Sequence, residues 1–433
     1  MVPGGCSVTS QKQFVLDAAR EWYLFPTLLP ATVNTADYAT AADLLNALTA
    51  TARAQNRDRF FSYVTTPAAD SSFLQAGQFV GFGFRTRIDG NQLLTPEVYE
   101  GSPAADGGLA RGAEITDIDS GSGFVPVATI LQTDPNLEQA FGPATEGIVR
   151  GMRFILTGGQ QLESVFTKRI VTIAPVPPGG AAILALPSNP AVPVGYVNLR
   201  TFIATAETPL RNAYAQFRAQ GIQYFIVDLR YNGGGLVSIA DFIGDLNGEG
   251  RNAADVFSNM RFNPSKSGND SVRRFIRQPQ SVDPVRIAFI TTGGTASASE
   301  LVINSMKPWA EVAIVGSDTF GKPVGQSAFD LGGCDLRLRL VTFRVTNADE
   351  EGDYYDGLAS TLPFACAADD DLTRAPWDDM ESSTAAALGW LGTGACGAVM
   401  SAPLSPSLKA GAARRIPQAA RPTPAQAWLP GLY

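Results

Sequence analysis

TASASELVINSMKPWAEVAIVGSDTFGKPVGQ, residues 295–326, sets a serine, a lysine and a glutamine in one short stretch of a chain that contains no histidine. A nucleophilic serine in such a chain must use a base other than imidazole, and a desolvated lysine amine is the available substitute. The 433 residues hold only six lysines: Lys12, Lys168, Lys266, Lys307, Lys322 and Lys409. Of these, Lys322 closes a Thr-Phe-Gly-Lys turn just after the apolar run 312–315, where a buried strand delivers it inward. A lysine at its ordinary pKa is deprotonated in only about one molecule in 2,500 at pH 7, so a catalytic Lys322 has to be buried. Ser297 has a second reading. Ser-Ala-Ser-Glu300 ahead of an apolar run is also a helix capping box, and Gln326 either orients the amine or is solvated.

Outward from this stretch, strand and helix patterns alternate. Residues 195–199, 224–229, 285–291 and 312–315 read as strands, and 207–219, 236–246 and 297–306 as helices, which predicts an α/β unit with a partly parallel sheet. Asp228-Leu-Arg-Tyr-Asn-Gly-Gly-Gly235 falls at a strand's carboxyl end. It reads either as a flexible turn or as backbone whose N–H groups face a ligand, and an oxyanion hole needs two such donors near the nucleophile. Residues 251–283 read as a long polar surface loop, and 175–193, rich in Pro, Gly and Ala, as a linker.

The N-terminal half differs in texture. Helical spacing over 11–25 and again over 41–54, the latter capped by Thr40 and Asp43, predicts a small helical region. From Phe79 onward short strands and glycine turns take over. Gly81-Phe82-Gly83-Phe84 and the stretch SPAADGGLARGAEITDID (residues 102–119) together resemble a PDZ domain: the first matches its carboxylate-binding loop, the second its SPAxxAGLxxGDxI signature. The resemblance departs at Ala113-Glu114, where that family has aspartate after glycine, and it implies that an extended peptide adds a strand to a sheet edge. Residues 120–150 form an insertion of undefined shape. The tail from about residue 398, rich in Ala, Pro and Ser, reads as disordered.

A formal net charge of -8 excludes a nucleic-acid surface, since phosphate binding needs clustered Lys and Arg. No run of apolar residues is long enough to span a membrane. The four cysteines (Cys6, Cys334, Cys366, Cys396) lack metal spacing and suit either two disulfides or buried thiols. Three connectivities are open. Cys334 with Cys366, flanking an apparent hairpin over 336–355, and Cys6 with Cys396 is the favoured one, with lipid modification of Cys6 as an alternative.

DLRYNGGG, TASASE and TFGKPVGQ, in that order and spacing, resemble the carboxy-terminal processing (tail-specific) peptidases across roughly residues 12–395. That resemblance implies an α/β, crotonase/ClpP-like peptidase core over 190–396, an inserted PDZ-like domain over 75–175 and an N-terminal helical region over 11–70, followed by a 398–433 tail. It assigns Ser297 as nucleophile, Lys322 as general base, Gln326 as the residue that positions the lysine, and Gly235 and Ala298 as oxyanion donors, with Gly81, Phe82, Gly83 and Phe84 binding peptide. It implies no metal or cofactor, protein or peptide substrates taken through their C-termini, and a periplasmic or secreted location. The rival reading is a noncatalytic peptide- or ligand-binding protein on the same scaffold.

Overall fold

The computed structural model describes residues 5–396, 414–417 and 422–433. At its centre lies a six-stranded sheet. The hairpin Ala181–Leu186/Asn189–Asn198 forms one edge, and Tyr224–Asp228, Arg286–Thr291, Glu311–Gly316 and Phe364–Ala367 follow in parallel register. Side chains alternate between the two faces, as the pleat requires. Val197, Phe225, Val227, Ile287, Phe289, Val312 and Ile314 pack under the helices Glu207–Ala219, Val237–Leu246 and Ala298–Met306. Tyr196, Ile226, Ala288, Ile290, Ala313 and Val315 face the helix Ser382–Thr393 instead, around the buried Trp390. Both faces are covered, so the strands are apolar runs rather than half-polar ones.

A second, antiparallel sheet is built on Arg337–Thr346, which pairs with Val324–Asp330, Val256–Phe262 and Tyr63–Thr65. The helices Val8–Trp22 and Ala41–Leu48 close over it through Val15, Ala19, Leu44, Leu45, Leu338 and Leu340. The capping box expected at Thr40 forms, with reciprocal 3.1 Å bonds between Thr40 and Asp43. Along the chain, between the helical region and the central sheet, comes a β-rich PDZ-like unit, its sheet made of Phe84–Asp89, Gln92–Val98, Glu114–Asp119, Val149–Ile155 and Gln161–Thr167.

Several expectations are corrected. Residues 175–193 are not a linker: from Ala181 onward this Pro/Gly-rich stretch enters the edge hairpin Ala181–Leu186/Asn189–Asn198 of the central sheet. Within 251–283, Val256–Phe262 and Ser271–Arg274 are strands; the first lies inside the antiparallel sheet, and the second, at its edge, carries polar side chains that suit that place. The hairpin runs from 324 to 346, not 336 to 355, and this overturns the cysteine pairing. Cys334 sits at that hairpin's tip beside the first helix, whereas Cys366 lies in the far edge strand of the central sheet. The bonds are therefore Cys6–Cys334 and Cys366–Cys396, with Cα separations of 5.1 and 5.3 Å. With its sulfur in that bond, Cys6 is not available to carry a lipid. Part of the tail expected to be disordered is packed: Pro424–Trp428 is a helix, and Leu429 and Leu432 are fully buried. Residues 397–413 and 418–421 lie outside the described residues.

Candidate active site

Strand Arg286–Thr291 ends at the turn 292–296, which hands the chain to helix Ala298–Met306 with Ser297 at the N-cap. Ser297 has φ 56° and ψ −114°, a conformation that costs a non-glycine residue about 1–3 kcal/mol and survives only where its surroundings impose it. Those surroundings are visible. Ala296 N–H donates to the Asn232 carbonyl at 3.0 Å, and the Ser299 hydroxyl donates to the same oxygen at 2.9 Å. Thr295 bonds the Leu229 carbonyl at 2.8 Å. Half-buried Ser297 is thus pressed between two loops, with its side chain at the helix N-terminus.

Glu300, one turn on, is fully buried and joins this helix to the lysine turn. Its carboxylate accepts the N–H of Ser297 at 2.9 Å, of Lys322 at 2.8 Å and of Gly321 at 2.7 Å. The Ser297–Glu300 capping box expected from the sequence supplies the first of these bonds. The other two were not legible, because they depend on the 319–322 turn folding back onto the helix start. Burial pushes the Glu300 carboxyl up to about 7, against the opposing pull of Thr319 and the three backbone donors.

Lys322 is 8 % exposed, and its Nζ lies 5.0 Å from the ring centre of Phe61 and 4.5 Å from that of Trp428. Burial lowers its pKa to about 8. Asp58 and Glu300 oppose that shift and Arg339 adds to it; desolvation is the largest influence, so it wins even though acidic groups are near. Gln326 does not bond the amine among the described contacts. Its side-chain amide donates to the Phe61 carbonyl, so it fixes the segment that carries one of the two rings over Lys322. Asp58, Phe61 and Trp428 were missed by the sequence reading; they lie more than a hundred residues from either dyad candidate along the chain, and no local pattern marks them.

The glycine loop completes the site. Asn232 ties it down, donating to the Leu199 carbonyl at 2.7 Å and accepting from Gly234 N–H at 2.9 Å. A Cβ at Gly234 would stand 2.9 Å from both the Ser297 Cβ and the Ala298 nitrogen, so only glycine lets the loop approach the helix start. Gly235 and Ala298 N–H groups have no acceptor among the described hydrogen bonds; Ala298 follows Ser297 in the chain, and Gly235 follows Gly234, which packs on Ser297. Glu300 brings the main chains of Ser297 and Lys322 to one carboxylate, while no bond between the Ser297 hydroxyl and the Lys322 amine occurs among the described contacts. A serine hydroxyl, a buried amine able to shed its proton near neutral pH and two uncommitted N–H groups are the groups that acyl transfer requires.

The peptide-binding candidates divide by atom. Phe82 and Phe84 bury their rings against Phe141 in the core of the β-rich unit, whereas the N–H groups of Gly83 and Phe84 point into its groove. A buried ion cluster, unmarked in the sequence, holds this unit to the core: Asp370 takes Arg87, Arg111 and Arg230 at 2.9, 2.8 and 3.2 Å. No metal-ligating cluster occurs among the described residues.

The model for Peptidase family S41 matches residues 193–357, and that for the Peptidase S41 N-terminal domain matches 10–63. A carboxyl-terminal-processing protease of Synechocystis sp. is 29% identical over 262 residues, 59% of this chain and 56% of that protein. The chloroplastic carboxyl-terminal-processing peptidase 2 of Arabidopsis thaliana is 26% identical over 291 residues, 64% of this chain and 52% of that one. The chain thus spans about half the length of the curated relatives it matches. An S41 protease structure from Bacteroides fragilis shares the fold at TM-score 0.67 and 20% identity, covering 88% of this chain and 97% of that one. The photosystem II D1 C-terminal processing protease does so at 0.51 and 19%, covering 88% and 98%.

Proposed function

We propose, from the premise that this chain belongs to peptidase family S41 and to its C-terminal processing peptidases, that it is a serine endopeptidase working through a Ser297–Lys322 dyad. The observation that carries this reading is the triple use of Glu300, which clamps the Ser297 and Lys322 main chains to one carboxylate while burial holds the lysine pKa near 8. In the reaction, neutral Lys322 Nζ takes the Ser297 hydroxyl proton as Oγ attacks the scissile carbonyl. The oxyanion is received by the N–H groups of Ala298 and Gly235. Lys322, now ammonium, returns the proton to the leaving amine; it then deprotonates the water that hydrolyses the acyl-enzyme.

Substrates in this reading are polypeptides whose C-terminal segments add to the edge of strand Phe84–Asp89, with the Gly83 and Phe84 amides holding the end. Two disulfides support a location outside the reducing cytoplasm, in the cell envelope or beyond it. The test is acylation by a fluorophosphonate probe, followed by peptide mapping. Labelling at Ser297 that disappears in Lys322→Ala is expected. A folded chain that binds peptides but is never acylated belongs to the noncatalytic alternative.

A further inference from the structure

The groove of the β-rich unit is filled by the protein itself. Tyr433 presents its carbonyl oxygen to the N–H groups of Gly83 and Phe84 at 2.8 and 3.2 Å, and returns its own N–H to the Phe84 carbonyl at 3.0 Å. Two residues back, the Gly431 carbonyl accepts Thr86 N–H at 2.9 Å, and Leu432 bridges Arg85. Residues 431–433 are therefore an added antiparallel strand. Their side chains are seated as well: the Tyr433 ring lies 4.4 Å from that of Phe141 and its hydroxyl donates to the Asn136 carbonyl, while Leu432 packs with Phe79 and Tyr99.

Upstream of this strand the same segment reaches the dyad. The short helix Pro424–Trp428 carries the Trp428 indole to 4.5 Å from Lys322 Nζ. The Trp428 carbonyl rests so close on Gly233 that a Cβ there would collide with it. Ala427, Trp428 and Pro430 form one wall of a cavity of about 750 Å³ whose other wall includes Gly233, Ala296 and Lys322. One stretch of ten residues thus occupies both places that the proposed reaction reserves for substrate.

We propose that residues 424–433 are an intramolecular ligand that fills the peptide groove and covers the Ser297–Lys322 cleft, so that a substrate segment must displace them before it is cut. The proposal rests on the peptidase reading of that cleft. It also names the class of competing peptide: an extended segment with an aliphatic residue in place of Leu432 followed by an aromatic one in place of Tyr433. A tethered ligand acts at an effective concentration on the order of 1 mM, so a groove affinity of about 100 µM suffices to raise the apparent KM about tenfold.

The test compares the intact chain with one ending at Thr423, and with Leu432→Asp in the intact chain, which puts a charge into the apolar groove without shortening the chain. Fluorophosphonate acylation of Ser297 and KM for a peptide substrate are measured, and synthetic peptide 422–433 is added in trans. Truncation is expected to speed acylation at least tenfold and lower KM, and the peptide to reverse both; Leu432→Asp is expected to move the same way. Equal rates and KM in the intact and altered chains overturn the proposal. Truncation also removes the Trp428 ring from beside Lys322, so if the shortened chain loses acylation, Leu432→Asp, which keeps that ring, decides. If the shortened chain does not fold, Leu432→Asp alone decides. If no chain is acylated, the peptidase reading fails, while occupancy is still read from labelled peptide 422–433: it is supported by binding to the truncated but not the intact chain, and overturned by binding to both or to neither.

Discussion

Lys322 sets the pH behaviour expected of this site. With its pKa lowered by burial to about 8, kcat/KM should rise with pH through one ionisation near that value and level off above it. The same shift has a stability sign. A folded lysine titrating near 8 against an unfolded value near 10.4 binds fewer protons than the unfolded chain between those limits. It therefore costs the fold roughly 3 kcal/mol below pH 8, and that cost fades as pH rises toward 10.4. Lys322→Arg should be inactive at every accessible pH, because guanidinium does not give up its proton; an active Lys322→Arg enzyme removes the lysine from the role of base. At Glu300, Gln is nearly isosteric but replaces one acceptor oxygen with an amide donor facing main-chain N–H groups. Glu300→Gln should cost about 2 kcal/mol of stability and at least a tenfold loss of kcat, read from denaturant midpoint and turnover. Unchanged kcat would mean that the carboxylate does not hold the dyad.

Among the elements, the glycine loop is the least tolerant. Gly235 has φ 139°, a region open essentially to glycine alone, and a Cβ there would collide with the Phe202 carbonyl. Gly235→Ala should lower kcat about 10²-fold by displacing the N–H proposed to receive the oxyanion, with a smaller effect on KM. A variant with full kcat would show that this N–H plays no part in the transition state. The loop stands at the carboxyl end of strand Tyr224–Asp228, next to that of Arg286–Thr291, where open α/β sheets place their ligands. This much is readable from local pattern: a strand ends, three glycines follow, and a polar-capped helix begins after the next strand.

For the whole molecule, the decisive joint is the charged one between the β-rich unit and the core. Burial alone would raise the Asp370 carboxyl, yet Arg111, Arg230, the Tyr231 hydroxyl and Arg87 hold it well below the usual carboxylate range. Arg230 is shared with Asp228 and Glu381, both buried. Removing the single anion that faces three guanidinium groups should cost about 3–5 kcal/mol and loosen the two units from one another. Asp370→Asn is expected to lower the denaturant midpoint and to raise amide exchange in strands Phe84–Asp89 and Gln92–Val98 more than in the central sheet. Equal exchange in both would place the weakness elsewhere.

The sequence alone determined the alternation of strands and helices over 195–246 and 285–316, because continuous apolar runs and helical stripes are local properties that each segment carries with it, whereas the polar strands within 251–283 carry no such mark. It also singled out Ser297 and Lys322, since a chain without histidine leaves few groups able to serve as a base. Tertiary structure alone decided the rest. Cys334 pairs with Cys6 rather than Cys366 because hairpin 324–346 carries its tip to the N-terminal helix, and no cysteine spacing encodes where a hairpin points. Gln326 reaches Phe61 rather than the amine, and Glu300 spans two main chains, because both depend on which loops meet above the sheet. The composition of residues 398–433 describes a segment with little core of its own. What orders residues 424–433 is apolar surface and unpaired strand-edge amides supplied from three hundred residues away, which composition cannot register.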